Sequence, residues 1–310
     1  MQTVKTVLIT GAHGFLGRHC ALEFSRRGWR VIGLGHGLWQ GESPEAFGIH
    51  RWIGADVDLA ALSEIGERVD LVVHCAGSGS VGFSCLHPAE DFRRTVETTL
   101  AVLEFIRLDN SGIRLIYPSS AAVYGSAPDH AIGESDPLNP VSPYGFHKRM
   151  AEDLCRSYAL AFGVDTAIVR FFSVYGAGLK KQLLWDACTR LSRKGDSLEF
   201  FGNGDETRDW LHVDDAASLI HVVSQAPEKN LLVNGAGGTR TTVRQVLTLV
   251  ADAFGAGREI TFNGAIREGD PCYYHADVTR TRGLGWRPTV DLETGIRDYV
   301  RWLRGMATHD

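Results

Sequence analysis

Three glycines follow the first apolar segment of the chain, and they constrain its fold more than any other feature. Residues 4–10 are predicted to form a buried strand and residues 15–28 the helix that follows it. Gly11, Gly14 and Gly17 lie in and just after the turn between them. Glycines in this setting allow a tight turn and let the backbone approach a pyrophosphate at the helix N-terminus. The segment therefore predicts a dinucleotide site, although its three-and-three spacing differs from the usual fingerprint.

Short apolar runs alternate with segments of helical period along much of the chain. Further strands are predicted over 30–34, 69–76, 113–117 and 165–171, and helices over 88–108, 144–162, 213–224, 243–254 and 292–303. We expect the longest loop over 125–143. The alternation predicts an α/β fold, a doubly wound parallel sheet of the Rossmann type over residues 1–172. A smaller C-terminal α/β substrate-binding part is expected over 173–310, with some segments returning to the first domain.

The composition excludes several classes of protein. Hydrophobic residues make up 44% of the 310 residues, charged residues 22%, and the net charge is −5, so neither nucleic acid nor a membrane is an expected partner. The six cysteines are scattered without a Cys-x-x-Cys pair, which argues against a zinc site or a disulfide framework. We expect no bound metal, no signal peptide and no membrane span, and hence a cytoplasmic protein.

A second motif can move a proton. Tyr144 and Lys148 are four residues apart on a predicted helix and so share a face, and Ser119 and Ser120 follow a predicted strand. A tyrosine has a pKa near 10, and lowering it by about three units requires roughly 4 kcal/mol. A nearby ammonium and a cationic nicotinamide favour the phenolate. Tyr144 would then take a hydroxyl proton as hydride leaves the same carbon, with Ser120 hydrogen-bonding the oxygen.

The end of the second strand leaves the choice of dinucleotide open. An acid there commonly binds a ribose 2′-hydroxyl and an arginine a 2′-phosphate, but this chain has Gly35-His36-Gly37. NAD is slightly favoured and NADP remains an alternative. His13 and His36 could face a cofactor phosphate or simply pack or meet solvent. Asp56 could accept from the adenine amine or cap a helix.

The combination TGAHGFLG, YPSSAAVYG and SPYGFHK resembles the extended short-chain dehydrogenases, specifically the nucleotide-sugar epimerase/dehydratase group. The resemblance extends over nearly the whole chain, through VVHCA, GDETRD, VDD, REGD and LGWRP. It implies that Tyr144 is the base, Lys148 its electrostatic partner and ribose ligand, and Ser120 the third catalytic residue. It also implies a homodimer in which the helices near 88–108 and 144–162 meet those of a second copy.

The same resemblance implies the ligand-binding residues. Arg208 and Arg267 correspond to ligands of the substrate's diphosphate, Asp270 to a ligand of its nucleoside ribose, and Ser173 replaces a usual asparagine on the substrate side. The cofactor residues it implies are Gly11, His13, Gly14, Phe15, Leu16, Gly17, His36, Asp56, Val57, Cys75, Ala76, Tyr144 and Lys148.

Relatives that eliminate water carry an Asp-Glu pair directly after the catalytic Ser or Thr, whereas this chain has Ala121 and Ala122. We therefore expect no 4,6-dehydratase activity. The first hypothesis is a nucleotide-sugar epimerase, acting at C4 through transient oxidation by a bound nicotinamide cofactor. The alternatives are an NADPH-dependent nucleotide-linked 4-keto-sugar reductase and, from another class, a non-catalytic nucleotide-sensing protein.

Overall fold

The computed structural model describes residues 4–39, 41–109, 112–126, 129–192, 197–255, 257–265 and 272–307. The strands in this part of the chain are β1 (Thr6–Thr10), β2 (Arg30–Gly35), β3 (Arg51–Gly54), β4 (Leu71–His74), β5 (Arg114–Ser120), β6 (Thr166–Phe171), β7 (Ser173–Tyr175), β8 (Ser197–Phe200), β9 (Thr207–His212), β10 (Leu231–Gly235), β11 (Arg240–Thr242) and β12 (Glu259–Phe262).

The helices alternate with these strands. They are α1 (Phe15–Arg26), α2 (Leu59–Ser63), α3 (Val81–Leu86), α4 (Pro88–Phe92), α5 (Thr98–Asp109), α6 (Pro143–Phe162), α7 (Gln182–Leu191), α8 (Val213–Gln225), α9 (Val243–Phe254), α10 (Thr279–Gly283) and α11 (Leu292–Ala307). Short 3₁₀ turns cover Pro44–Phe47 and Ala121–Val123, and a π turn, Arg93–Glu97, joins α4 to α5.

Seven strands form one parallel sheet in the order β10-β6-β5-β4-β1-β2-β3. Successive residues of β1 point to opposite faces: Val7 and Ile9 pack with α1 and α8, and Leu8 packs with α5 and α6. Both faces are therefore buried, which explains why β1 is apolar throughout. The predicted doubly wound α/β sheet is confirmed.

The C-terminal part builds two small sheets, β11-β9-β7 and β12-β8, around a separate apolar cluster from α7, α9 and α11. Strand β9 alternates between buried and half-buried residues: its half-buried Trp210 packs against this cluster, and its buried Leu211 packs in the core of the large sheet. In contrast, β10 lies parallel to β6 and extends the large sheet. Strand β10, which comes from the C-terminal part of the chain, therefore forms one edge of the large sheet, so both parts contribute to that sheet.

Most of the predicted long elements are present. The helix over 88–108 is one continuous stretch of α4, the π turn and α5, and α6 begins one residue earlier than predicted, at Pro143. The prediction that a strand ends at residue 117 was wrong, because β5 continues through both serines and pairs with β6 from Leu115 to Ser120. None of the described helices is long and apolar enough to cross a membrane.

Candidate active site

The glycine turn is shaped by close backbone contacts. Gly11 has φ of +65°, and a Cβ atom there would lie 2.6 Å from the backbone nitrogen of Ala76. A Cβ atom on Gly17 would lie 2.2 Å from the Gly11 carbonyl oxygen. Both positions therefore require glycine, the first for its left-handed backbone and the second for packing of α1 against the turn.

The N-terminus of α1 is open to an anion. Gly14 is the N-cap residue, no side chain caps the helix, and the first turn contains no acidic residue. The free N–H groups of the first turn and the positive end of the helix dipole suit a pyrophosphate. The chain thus has the cradle that a dinucleotide needs, with Phe15 and Leu16 in its first turn.

The strand β2 ends beside this cradle without an acidic side chain. A Cβ atom on Gly35 would approach Gly11 Cα to 3.5 Å, so the two turns are adjacent, and His36 is exposed. The His13 ring packs edge-on to Trp39 at 4.7 Å, and burial lowers the pKa of His13. The Arg18 guanidinium donates to the His13 carbonyl oxygen at 2.8 Å and pairs with Glu42.

The remaining cofactor candidates surround the same edge of the sheet. Asp56 is exposed, and Asp58 rather than Asp56 caps α2. Ala76 donates its N–H to Thr10 Oγ1 at 3.2 Å, and this hydroxyl also bonds His74 Nδ1 at 2.6 Å. Burial lowers the pKa of His74 to about 3, so the ring is neutral. Phe15, Leu16, Val57 and Cys75 are half-buried and pack against the apolar clusters.

Ser120, Tyr144 and Lys148 come together at the end of β5 and the start of α6. Lys148 Nζ donates to the Pro118 carbonyl oxygen at 3.0 Å and lies 6.0 Å from the centroid of the Tyr144 ring. The Tyr144 phenol lies close enough to Ser120 for this hydroxyl to lower its pKa. The backbone N–H of Tyr144 donates to Ser84 Oγ at 3.0 Å, which fixes the first turn of α6 against α3.

The electrostatics of this set differ from the sequence-based expectation. Burial raises the pKa of the Tyr144 phenol, the hydrogen bond with Ser120 lowers it, and the charge of Asp91 raises it. Burial also lowers the pKa of Lys148 to about 8. Contrary to the expectation, Lys148 is not among the groups that shift the pKa of Tyr144, and burial is the largest effect on it. A cationic nicotinamide is the group left to favour the phenolate.

The two adjacent serines do different things. Ser119 Oγ donates to Glu152 Oε1 at 2.6 Å, and Glu152 pairs with Arg170 at 2.7 Å, with all three residues buried. Ser120 is half-buried, and its Oγ accepts from the N–H of Ala122 at 3.2 Å. Ser119 therefore belongs to the core, and Ser120 faces the phenol.

The structure brings part of the predicted substrate set to this edge. Ser173 opens β7, which pairs with Trp210 of β9. Arg208 on β9 is half-buried; burial raises the pKa of the Tyr274 phenol, and the charge of Arg208 partly offsets this. The Tyr274 hydroxyl donates to the Ala121 carbonyl oxygen at 2.9 Å. Arg208 thus lies on the same side of the fold as Ser120. The predicted ligands Arg267 and Asp270 lie outside the described residues.

One cross-connection was not predicted from the sequence. Lys181, just before α7, donates from Nζ to the Gly79 carbonyl oxygen at 2.7 Å, in the loop that follows β4. This bond joins the C-terminal part to the Rossmann part beside the cradle. The only sequence signal for this bond was the basic pair Lys180-Lys181 in the C-terminal part of the chain. Among the described residues, no group of three or more His, Cys, Asp or Glu side chains could hold a metal ion.

Known proteins share both the sequence and the fold. The family model for the NAD-dependent epimerase/dehydratase family matches residues 7–236. The UDP-glucose 4-epimerase of Azospirillum brasilense is 30% identical over 97% of this chain and 92% of its own length.

Two solved structures are also similar. The UDP-glucose 4-epimerase of Thermotoga maritima, in a structure with UDP-glucose, is 25% identical with a TM-score of 0.88, covering 97% of this chain and 99% of its own. MoeE5, in a complex with UDP-glucuronic acid and NAD, is 27% identical with a TM-score of 0.85 and the same coverage.

The glycine cradle, the parallel sheet and the Ser-Tyr-Lys set thus occur in a chain whose relatives match it from end to end. The chain belongs to the NAD-dependent epimerase/dehydratase family, whose members are enzymes of the extended short-chain dehydrogenase type.

Proposed function

We propose that this protein is a nucleotide-sugar epimerase that inverts C4 by transient oxidation with a resident nicotinamide dinucleotide. The observation that carries the proposal is the meeting of Ser120, Tyr144 and Lys148 beside a glycine cradle fit for a pyrophosphate. The relatives support the substrate class, since those named above are epimerases of UDP-glucose or bind UDP-sugars.

Each residue of the set has a role in this reaction. The Tyr144 phenolate removes the proton of the C4 hydroxyl, and Ser120 hydrogen-bonds the same oxygen as charge develops. Lys148 stabilises the phenolate and holds the nicotinamide ribose. When bound, the nicotinamide supplies the hydride acceptor and donor. The ketone turns in the site, reduction on its other face gives the epimer, and Tyr144 returns the proton.

In this proposal, the cofactor and the substrate bind to different parts of the chain. Residues 1–172 hold the dinucleotide, with its pyrophosphate on the N-terminus of α1 and NAD favoured over NADP because an epimerase regenerates its cofactor in place. Residues 173–310 hold most of the nucleotide sugar, with some segments returning to the first domain. Arg208 and Arg267 bind the diphosphate, Asp270 binds the nucleoside ribose, and Ser173 belongs to the substrate side.

The absence of a carboxyl pair after Ser120 separates this reaction from dehydration. Ala121 is buried and Ala122 half-buried, and neither can donate or accept a proton. We expect no 4-keto-6-deoxy sugar from a simple nucleotide sugar, and its detection by mass spectrometry would contradict that expectation.

A 4-keto-sugar reductase using NADPH is the second candidate. Two observations favour it: no acid follows β2 at Gly35, and the protein's own groups raise the pKa of Tyr144, which suits a proton donor. In this reaction Tyr144 would donate its proton to the ketone oxygen, and the same Ser120 and Lys148 would serve.

The first experiment identifies the nucleotide released when freshly purified protein is denatured. Stoichiometric NAD, together with C4 inversion of a UDP-sugar and no need for added reductant, supports the epimerase. A protein that exchanges NADPH freely and consumes it with a keto sugar is the reductase. Tyr144→Phe should abolish either turnover while leaving dinucleotide binding intact; unchanged turnover contradicts the mechanism.

A further inference from the structure

A buried acid and a buried histidine lie behind the candidate catalytic set and take no part in the reaction described above. Asp91 on α4 is fully buried, and His147 on α6 is 9% exposed. Asp91 Oδ2 and His147 Nδ1 are 2.5 Å apart. This contact joins two helices through residues that are 56 positions apart in sequence. Among the described residues, His147 is the only hydrogen-bond partner of the Asp91 carboxylate.

The second carboxylate oxygen, Asp91 Oδ1, is buried without a hydrogen-bond partner among the described residues. Removing a carboxylate from water is costly unless a counter-charge and hydrogen bonds replace the water. His147 is the nearest group that can supply both, and the Phe92 ring packs edge-on against its imidazole at 5.5 Å. The pair is therefore buried away from water with one carboxylate oxygen unpartnered among the described residues, and its charge acts over a longer distance than it would in water.

The helical spacing directs that charge to the catalytic residues. Tyr144, His147 and Lys148 are residues i, i+3 and i+4 of α6 and lie on one side of the helix. The carboxylate of Asp91 raises the pKa of both Tyr144 and Lys148. For Lys148 this opposes the effect of burial and keeps the ammonium charged, whereas for Tyr144 it keeps the phenol protonated.

We propose that Asp91 and His147 form a positioning pair that sets the charge behind Tyr144 and Lys148 and thereby controls when Tyr144 ionises. The inference rests on the proposed role of Tyr144 as the proton-transfer residue. The imidazole hydrogen-bonds the Asp91 carboxylate, and without that contact the Asp91 charge lies unscreened behind the phenol. His147 thus limits the penalty that Asp91 imposes on Tyr144, and Asp91 helps Lys148 to stay charged.

Other ionisable groups act on the same two candidate residues. Cys75 after β4, and Glu152 and Cys155 on α6, also raise the pKa of Lys148, Ser120 on β5 lowers that of Tyr144, and Lys148 Nζ lies 4.8 Å from the centroid of the Tyr117 ring. Glu152 is paired with Arg170, and Glu90 on α4 is paired with Arg94.

Titration of the Tyr144 phenol tests this directly and needs no substrate. The ultraviolet absorbance of phenolate is followed against pH in the protein loaded with NAD, and the same titration of Tyr144→Phe is subtracted. Asp91→Asn should lower the pH at which Tyr144 ionises by roughly one unit, the size expected for a nearby charge. His147→Leu, which removes the hydrogen bond to the Asp91 carboxylate, should raise it.

The double variant should follow Asp91→Asn, because the charge that His147 screens is then gone. Glu90→Gln, on the same helix but half-buried and paired with Arg94, is the matched control and should not move the titration. No downward movement in Asp91→Asn, or no upward movement in His147→Leu, overturns the inference. If Asp91→Asn fails to fold, the direction in His147→Leu still decides. A shifted titration in a protein that turns over no nucleotide sugar would overturn the proposed function and leave this pair intact.

Discussion

At the scale of single residues, the neighbours Ser119 and Ser120 differ in role: Ser119 supports the buried core, and Ser120 is a candidate catalytic residue. Consecutive side chains of a strand point to opposite faces, so one serine enters the core and its neighbour enters the cleft. Ser119 contacts buried Glu152, and Ser120 contacts the Tyr144 phenol. The sequence predicted Ser120 only through its likeness to the family, because strand alternation alone does not say which face holds the site.

Ser120→Ala and Ser119→Ala form a matched pair of variants. We expect Ser120→Ala to lower kcat by roughly 10²-fold with little change in stability, because it removes one hydrogen bond to the developing charge. Ser119→Ala should lower the free energy of unfolding by about 2 kcal/mol with kcat retained, because Glu152 loses a buried donor. Steady-state kinetics and denaturant unfolding measure both. The reverse pattern would exchange the two roles.

Lys148 predicts the alkaline side of the pH profile. Its pKa lies at about 8 because burial disfavours the ammonium, so the cation is present below that pH and is lost as the pH rises through it. We expect kcat to fall over this range. Lys148→Arg should be slower but should keep its charge, so its alkaline fall moves to higher pH. Lys229→Arg, an exposed control, should follow the parent profile; a parent profile flat well above pH 8 contradicts the prediction.

At the scale of elements, regular apolar runs were predictable and short polar ones were not. Strands β1, β2 and β6 are buried on both faces and mainly apolar, although β6 contains the buried Arg170, and the helical period of α6 and α9 predicted their bounds within a residue. Strands β7 and β11 have three residues each, too few to show a period. Their positions depend on pairing with β9, which only the folded chain supplies.

The junction of β1 and α1 is the element on which we expect cofactor binding to depend. A methyl group on Gly17 would lie 2.2 Å from the Gly11 carbonyl oxygen, so α1 would have to move away from the turn. We expect Gly17→Ala to lower stability by about 2 kcal/mol and to weaken dinucleotide binding by roughly tenfold or more. Unfolding curves and calorimetric titration with NAD test this.

Gly283→Ala is the matched control for that change. Gly283 closes α10, and a Cβ atom there has no neighbour within 4 Å. Alanine is a better helix former than glycine, so this variant should be as stable as the parent or slightly more stable, with unchanged NAD affinity. Equal losses in both variants would mean that the contact with Gly11 is not the cause.

At the scale of the whole molecule, buried ionic pairs connect segments in ways that no local pattern predicts. Arg170 of β6 pairs with Glu152 of α6 and also donates to the Tyr124 hydroxyl, which in turn donates to Asn234 of β10. Buried charges run against the general preference for the surface. The sequence therefore gave no reason to place Glu152, Arg170, Asp91 or His147 inside, although it predicted the sheet around them.

The outer face of the molecule carries the last prediction. Helices α5 and α6 pack together and leave Leu100 42% and Met150 44% exposed. Apolar side chains on neighbouring helices are commonly covered by a partner, and a twofold dimer would place the same helices of a second copy against them. We propose a homodimer through this face. In this dimer, Tyr144 and Lys148 lie near one end of α6, and the rest of the helix contacts the second copy.

Charges at that face should separate the two copies. We expect Leu100→Glu combined with Met150→Glu to sediment as a monomer while the parent protein sediments as a dimer, because four buried carboxylates across a twofold axis repel and lose water. Val4→Glu, at a site 66% exposed outside these helices, should remain dimeric. Since α6 also positions the candidate catalytic residues, the monomer should lose part of its turnover. A double variant that stays dimeric would place the contact elsewhere.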